Sequence, residues 1–232
     1  MSVKLGKPKV TAIGDIRIAN GGMEIPECIE AWFDGHASGG IIAIGPGGHL
    51  RLAGASASQG IRGACVESGA YLDAVGSMAH VASCHVNSGG SMAIVNGAQA
   101  WDVTTLGETY LGSCGNPTGH IAVSGGVTIM DGGSLDYLSA CTHADVRIRS
   151  GAFVRGLIVC NGGKCLIEDA SATDIEIYSG GTLGLVRGAA TDITLHSGGT
   201  VTRAGRCKVH YKALSPVNGA EWEDENGSTE ET

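Results

Sequence analysis

Residues 173 to 203 read TDIEIYSGGTLGLVRGAATDITLHSGGTVTR. Within them the phrase Thr-Asp-Ile-x-ϕ-x-Ser-Gly-Gly-Thr-ϕ, where ϕ is apolar, runs from Thr173 to Leu183 and again from Thr191 to Val201, an offset of 18 residues. Ile175 and Ile177, then Ile193 and Leu195, alternate with polar residues, the period of a strand with one face buried. Ser-Gly-Gly interrupts each strand, and the apolar pattern resumes at Leu183 and Val201. A unit this short cannot close a core alone. It can wind once around an axis and lay its strands on the next copy. This predicts an all-β, single-stranded β-solenoid, or β-helix, with degenerate coils of ~18–20 residues stacked ~4.8 Å apart.

Working outward, the first Gly of each x-Gly-Gly or x-Gly-Ala turn serves as an anchor: Gly21, Gly47, Gly69, Gly89, Gly125, Gly151, Gly162, Gly180 and Gly198. Apolar pairs stand five and three residues before eight of these anchors, among them Ile42 and Ile44, Val146 and Ile148, and Leu157 and Val159. Three residues after the anchor come Leu50, Leu72, Met92, Val154, Cys165, Leu183 and Val201. The glycines supply corners at positive φ, and Asn20, Ser68, Ser88, Ser150, Asn161, Ser179 and Ser197 before them can hydrogen-bond the turn backbone. Spacings of 22, 20, 18 and 11 residues mark insertions. Around Gly125 the phrase slips by one residue, and TTLGETYLGSCGNPTG has no Gly-Gly. The domain reading is a lead-in over 1–12, a solenoid over 13–212 with an irregular capping part about 23–40, and an acidic tail over 213–232. A β-sandwich or barrel with glycine-rich hairpins is the rival, but it requires two-residue Asn-Gly or Asp-Gly loops between long strands rather than glycines in register with short ones.

Composition agrees. The 232 residues include 39 glycines, 5 prolines and 4% aromatic residues, with no three-residue glycine period of the collagen kind. A formal charge of −8 argues against a nucleic-acid partner held by phosphate neutralisation. Much of that charge lies in AEWEDENGSTEET (Ala220–Thr232), which reads as a solvated tail with Trp222 as its one anchor. No apolar run reaches the length of a membrane span. The opening MSVKLGKPKVTAIG lacks the apolar run of a secretory signal, which admits a virion or intracellular setting beside a cell-surface one.

The eight cysteines form no CxxC pair and lie in apolar phrases such as GLIVCNGG, so they read as small core residues with free thiols. Cys84-His85 and Cys141-x-His143 are the nearest approach to a metal motif, and neither has a second pair at zinc spacing; no metal and no cofactor is expected. The eight histidines occur at differing offsets and read as surface or turn residues. Trp32-Phe33 reads as a cap on the open end, which an exposed terminal coil needs against edge-to-edge aggregation.

The phrases IEIYSGGTLGLVRGAATDITLHSGGTVTRAG and CHVNSGGSMAIVNGAQAWDVT resemble the strand-loop-strand repeats of autotransporter passenger domains, of the type named for adhesins involved in diffuse adherence. The resemblance is best from Ala82 to Arg206. It implies a right-handed solenoid at a cell surface that meets a protein or glycan surface, or a copy of itself. It also implies that hydroxyls following the glycines, here Ser91, Thr182 and Thr200, can carry sugars.

One pattern points to chemistry. Asp15, Asp145, Asp174 and Asp192 each fall six residues before an anchor, and stacking would place Asp174 and Asp192 about 5 Å apart, the separation of a retaining glycosidase pair. The same ladder could bind a cation. Against this, an Asp before each strand is an ordinary turn residue that accepts backbone N–H bonds, and repetition alone makes ladders. The expected function is therefore a non-catalytic structural or adhesive module, with a carbohydrate-active or cation-binding solenoid as the alternative.

Overall fold

The computed structural model describes residues 9–12, 16–18, 21–25, 30–34, 42–54, 57–114, 118–214 and 222–224. These residues are all β, with no helix, and the chain winds through about nine turns of a β-solenoid. Every strand pairing is parallel, as it must be when each strand lies on its own equivalent one turn later. Lys164–Glu168 pairs with Thr182–Val186 and that with Thr200–Ala204, so Lys164, Thr182 and Thr200 stack at the 18-residue offset of the repeated phrase.

Each turn has three faces. The first follows the Ser-Gly-Gly corner and includes Tyr71–Val75, Ser91–Val95, Asp145–Arg149 and Thr182–Val186. The second includes Gln59–Arg62, Ala79–Ala82 and Gln99–Trp101. The third includes Ile42–Ile44, Ala64–Val66 and Val103–Thr105. In later turns the second and third faces run together as one strand, as in Phe153–Val159, Ser171–Ile177 and Ala189–Leu195.

The bore is filled by stacked apolar columns. On the first face Leu50, Leu72 and Met92 stack, and after two threonines the same column continues through Val146, Cys165, Leu183 and Val201. On the third face Leu157, Ile175 and Ile193 form another column, with Val159, Ile177 and Leu195 beside it. All of these are buried, and Ile175, Ile177, Leu183, Ile193, Leu195 and Val201 point inward as the period-two pattern predicts. The second face contributes Ala172 and Ala190, side chains small enough for a narrow bore.

The first corner is a four-residue turn closed by a backbone bond, as from the Gly90 amide to the Asn87 carbonyl at 2.9 Å and from the Gly181 amide to the Tyr178 carbonyl at 2.9 Å. Its third residue has positive φ at Gly47, Gly69, Gly89, Gly162, Gly180 and Gly198, the signature of a type II turn. These corners also stack, the Gly180 amide donating to the Gly198 carbonyl at 2.7 Å.

Three anchors are placed differently from the sequence reading. Gly151 is not at the first corner. It forms the second corner, between first and second faces, where Ser150 (φ 57°) and Gly151 (φ 75°) make a two-residue turn of the same kind as Asn96-Gly97. The first corner of that turn is held by His143 (φ 64°), so the strand Val146 and Ile148 belongs to the first face and Val154 to the second. The 11-residue spacing thus measures the distance between two different corners. Gly21 is in register with Gly48, one residue beyond the corner position of Gly47. At the slipped turn the positive φ falls on Gly126 rather than Gly125.

Candidate functional site

The third corner is made by single residues in the left-handed region, and it is there that two of the four aspartates stand. Gly63, Ser83, Asp102, Tyr137, Gly156, Asp174 and Asp192 occupy equivalent places with φ from 48° to 74°. Asp and Asn tolerate this region because their short side chains can bond locally, so the aspartates suit the corner by their backbone. Asp174 and Asp192 are in register one turn apart. Around them lie the Thr173 hydroxyl, donating to Asp192 at 3.3 Å, His210 Nδ1 at 3.6 Å from Asp192, and Arg155, whose guanidinium is 2.6 Å from Asp136. The Asp136 carboxylate, with Asp174 farther off, raises the Arg155 guanidinium pKa. Tyr137, 56% exposed, stacks over Gly156 in the same column.

The expected four-member ladder does not assemble. Asp145 sits on the first face between Val127 and Lys164, where it accepts from Arg147 at 2.9 Å. Its offset from Gly151 equals that of Asp174 from Gly180, but Gly151 is a second corner and Gly180 a first. Asp15 lies outside the described residues.

Ser91, Thr182 and Thr200 do share one outward column of the first face, directly after the first corner. Thr182 and Thr200 are neighbours, whereas Glu108, Val127, Asp145 and Lys164 separate Ser91 from them. Farther along this face charges pair across turns. Arg149 is 3.1 Å from Asp131, and the Ser150 hydroxyl followed by Arg149 holds the Asp131 carboxyl below its usual range. Arg187 forks onto Asp169 at 2.8 and 3.0 Å.

The sequence reading missed an aromatic cluster on the second face. Trp32 lies across bare Gly60, where a Cβ would collide with its ring, and reaches His80 at a centroid distance of 6.3 Å. His80 in turn meets Trp101 at 6.0 Å, and burial lowers the His80 pKa. Trp32 and Phe33 are therefore within a pairing strand, Glu30–Asp34, which has neighbours on both sides, rather than capping an end. Early turns of 27, 22 and 20 residues, seen in the partners Gly21 and Gly48, His49 and Tyr71, and Tyr71 and Ser91, hide such proximity from a fixed-period reading. Histidines recur beside aromatics elsewhere: His49 meets Tyr71 edge-on at 5.1 Å, and His196 stacks flat on Tyr178 at 4.4 Å.

Of the cysteines, Cys84 and Cys165 are buried, and burial pushes the Cys84 thiol up to about 12. Cys65, Cys141, Cys160 and Cys207 are half-buried, and these six are free. The core reading therefore holds fully for two of the six. Cys28 and the side chain of Cys114 lie outside what is described. Among the described residues no three His, Cys, Asp or Glu side chains are arranged to hold a metal ion. Nor is any helix among them long and apolar enough to cross a membrane. The chain also re-enters the stack at Trp222–Asp224, within the segment read as a tail, and pairs there with Val201, Thr202 and Arg203.

No family model matches the chain, and no curated protein does. Among solved structures it is similar to a crystal structure of the TibC-catalyzed hyper-glycosylated TibA55-350 fragment, at 19% identity and a TM-score of 0.40, over 94% of this chain and 98% of that one.

Proposed function

We propose that this solenoid is a non-catalytic structural and adhesive module whose outer faces meet a protein or glycan surface or a second copy of itself. The observation that carries this reading is the division of labour in each turn. Inward positions are spent on one apolar bore, while outward hydroxyls, charges and aromatics run in columns along the faces. Long columns suit extended contact with a surface. Ser91, Thr182 and Thr200 would then be the positions open to glycosylation on the first face, and Trp32, His80 and Trp101 an aromatic contact on the second. A cell-surface setting fits this use.

The carbohydrate-active alternative keeps one specific support: Tyr137, Arg155 and His210 accompany the Asp174 and Asp192 pair. The third corner is open to water there, Asp174 being exposed, which suits a contact better than a sequestered reaction. The test is to immobilise the purified chain, measure retention of itself, of glycans and of host-surface extracts, and assay a polysaccharide panel for new reducing ends. Retention that survives Asp174→Asn/Asp192→Asn, with no new reducing ends, is expected. Reducing ends released by the wild type and lost in that variant would establish the alternative.

A further inference from the structure

Cys141 and Cys160 occupy equivalent places in successive turns. Each is the residue that leaves the third face and opens the first corner. Their amides donate to the carbonyls of Val123 and Ala140, both at 2.8 Å, and their carbonyls accept from Ala144 and Gly163, both at 2.9 Å. These bonds hold the two backbones at the stacking distance of parallel strands, ~4.8 Å, within the ~4.4–6.8 Å that a disulfide spans between Cα atoms. The side chains point the same way, and Cys141 Sγ lies 3.0 Å from Cys160 Sγ. Both thiols are half-buried, so a small reagent can reach them. Among the six cysteines whose side chains are described no other sulfur–sulfur contact of this kind is formed: Cys65 accepts from Asn87, and Cys207 faces the carbonyls of Leu185 and Ala204.

We infer that Cys141 and Cys160 are an inter-coil disulfide site, closed when the folded chain meets an oxidising small disulfide, so that two adjacent turns are covalently stapled at the first corner. The thiolate of one cysteine attacks the small disulfide, whose S–S bond breaks and whose first half leaves as a thiol. The second cysteine attacks the resulting mixed disulfide, forming the protein S–S bond and releasing the other half. The protein loses two electrons and two protons, and the small disulfide gains them. Burial pushes the Cys160 thiol up to about 11, so closure should quicken as pH rises towards that value.

The test uses the full chain equilibrated at pH 8 with oxidised or with reduced glutathione. Thiols are then alkylated under denaturing conditions, and the product is read by intact mass, peptide mapping and thermal melting. The expected result is the loss of two alkylation sites, a peptide joining Cys141 to Cys160, and a Tm higher than the reduced form by on the order of 5–10 °C. Cys141→Ser/Cys160→Ser should melt like the reduced wild type in both buffers. Eight free thiols after oxidation, or a linkage that leaves Cys141 and Cys160 alkylated, would overturn the inference; this mapping is done on the wild type and does not depend on the variant folding.

Discussion

Gly180 and Gly198 show what the recurring corner asks of one residue. Their φ values are 77° and 78°, and a Cβ added at Gly198 would stand 2.6 Å from Ser179 Oγ, while one at Gly180 would strike Asn161 Oδ1. Strain of the left-handed backbone is ~1–2 kcal/mol per non-Gly residue and greater for a β-branched one, before any clash is relieved. Asp174 and Asp192 also hold left-handed backbone, but Asn enters that region as readily. Gly180→Val/Gly198→Val is therefore expected to destabilise by about 3 kcal/mol or more, and Asp174→Asn/Asp192→Asn by less than about 1 kcal/mol. Urea denaturation followed by circular dichroism checks both. Equal losses would mean that the carboxylate charges matter as much as the corner backbone.

At the scale of the element, the informative place is the turn without a double glycine together with the turn that follows it. The inward first-face column, apolar at Met92 and Val146, passes through Thr109 and Thr128 between them, and all four are buried. Thr109 donates to Thr105 at 3.0 Å across the corner, and Thr105 reaches the Gly107 carbonyl at 3.4 Å. Thr128 Oγ1 has no hydrogen-bond partner. A buried hydroxyl left unsatisfied costs about 1–3 kcal/mol, and Val has nearly the same shape. Thr128→Val is thus expected to stabilise the protein by about 1 kcal/mol, whereas Thr109→Val should not, because the Thr109 hydroxyl is already satisfied by its bond to Thr105 and removing it loses that bond. Paired urea titrations would reveal this; a destabilised Thr128→Val would mean that a buried water or an alternative rotamer satisfies the hydroxyl.

Across the whole molecule each turn touches chiefly the turn before and the turn after, so stability is close to a sum of nearest-neighbour terms. Ile148 is buried at the middle of the bore, stacked between Met130 and Ile167. Ile148→Asp puts a charge where no partner exists. Hydrogen exchange is expected to accelerate most in residues 127–131, 145–149 and 164–168, with far smaller change at 42–53 and 71–75. Uniform loss of protection along the chain would show that the solenoid unfolds as a single cooperative unit.

The period of 18 residues, the inward side chains of the last turns and the Ser-Gly-Gly corner were legible because they are local: alternation sets which side chains face inward, and a positive φ next to a strand selects glycine. The phase of the middle turns was not legible. His143 holds a left-handed corner that glycine holds elsewhere, which moved Gly151, Val146 and Asp145 to the wrong face. Once His143-Ala144 is seen as a corner, LSACTHA (Leu138–Ala144) and LIVCNGG (Leu157–Gly163) align, and Cys141 falls beside Cys160. The meeting of Trp32, His80 and Trp101 across turns of unequal length likewise follows from cumulative register. The sequence by itself determined that strands stack and, in the last turns, which side chains of the repeated phrase are buried, since those depend on neighbours within one turn. Which outward side chains share a column was decided only by the tertiary structure, because every insertion upstream shifts the register of all that follows.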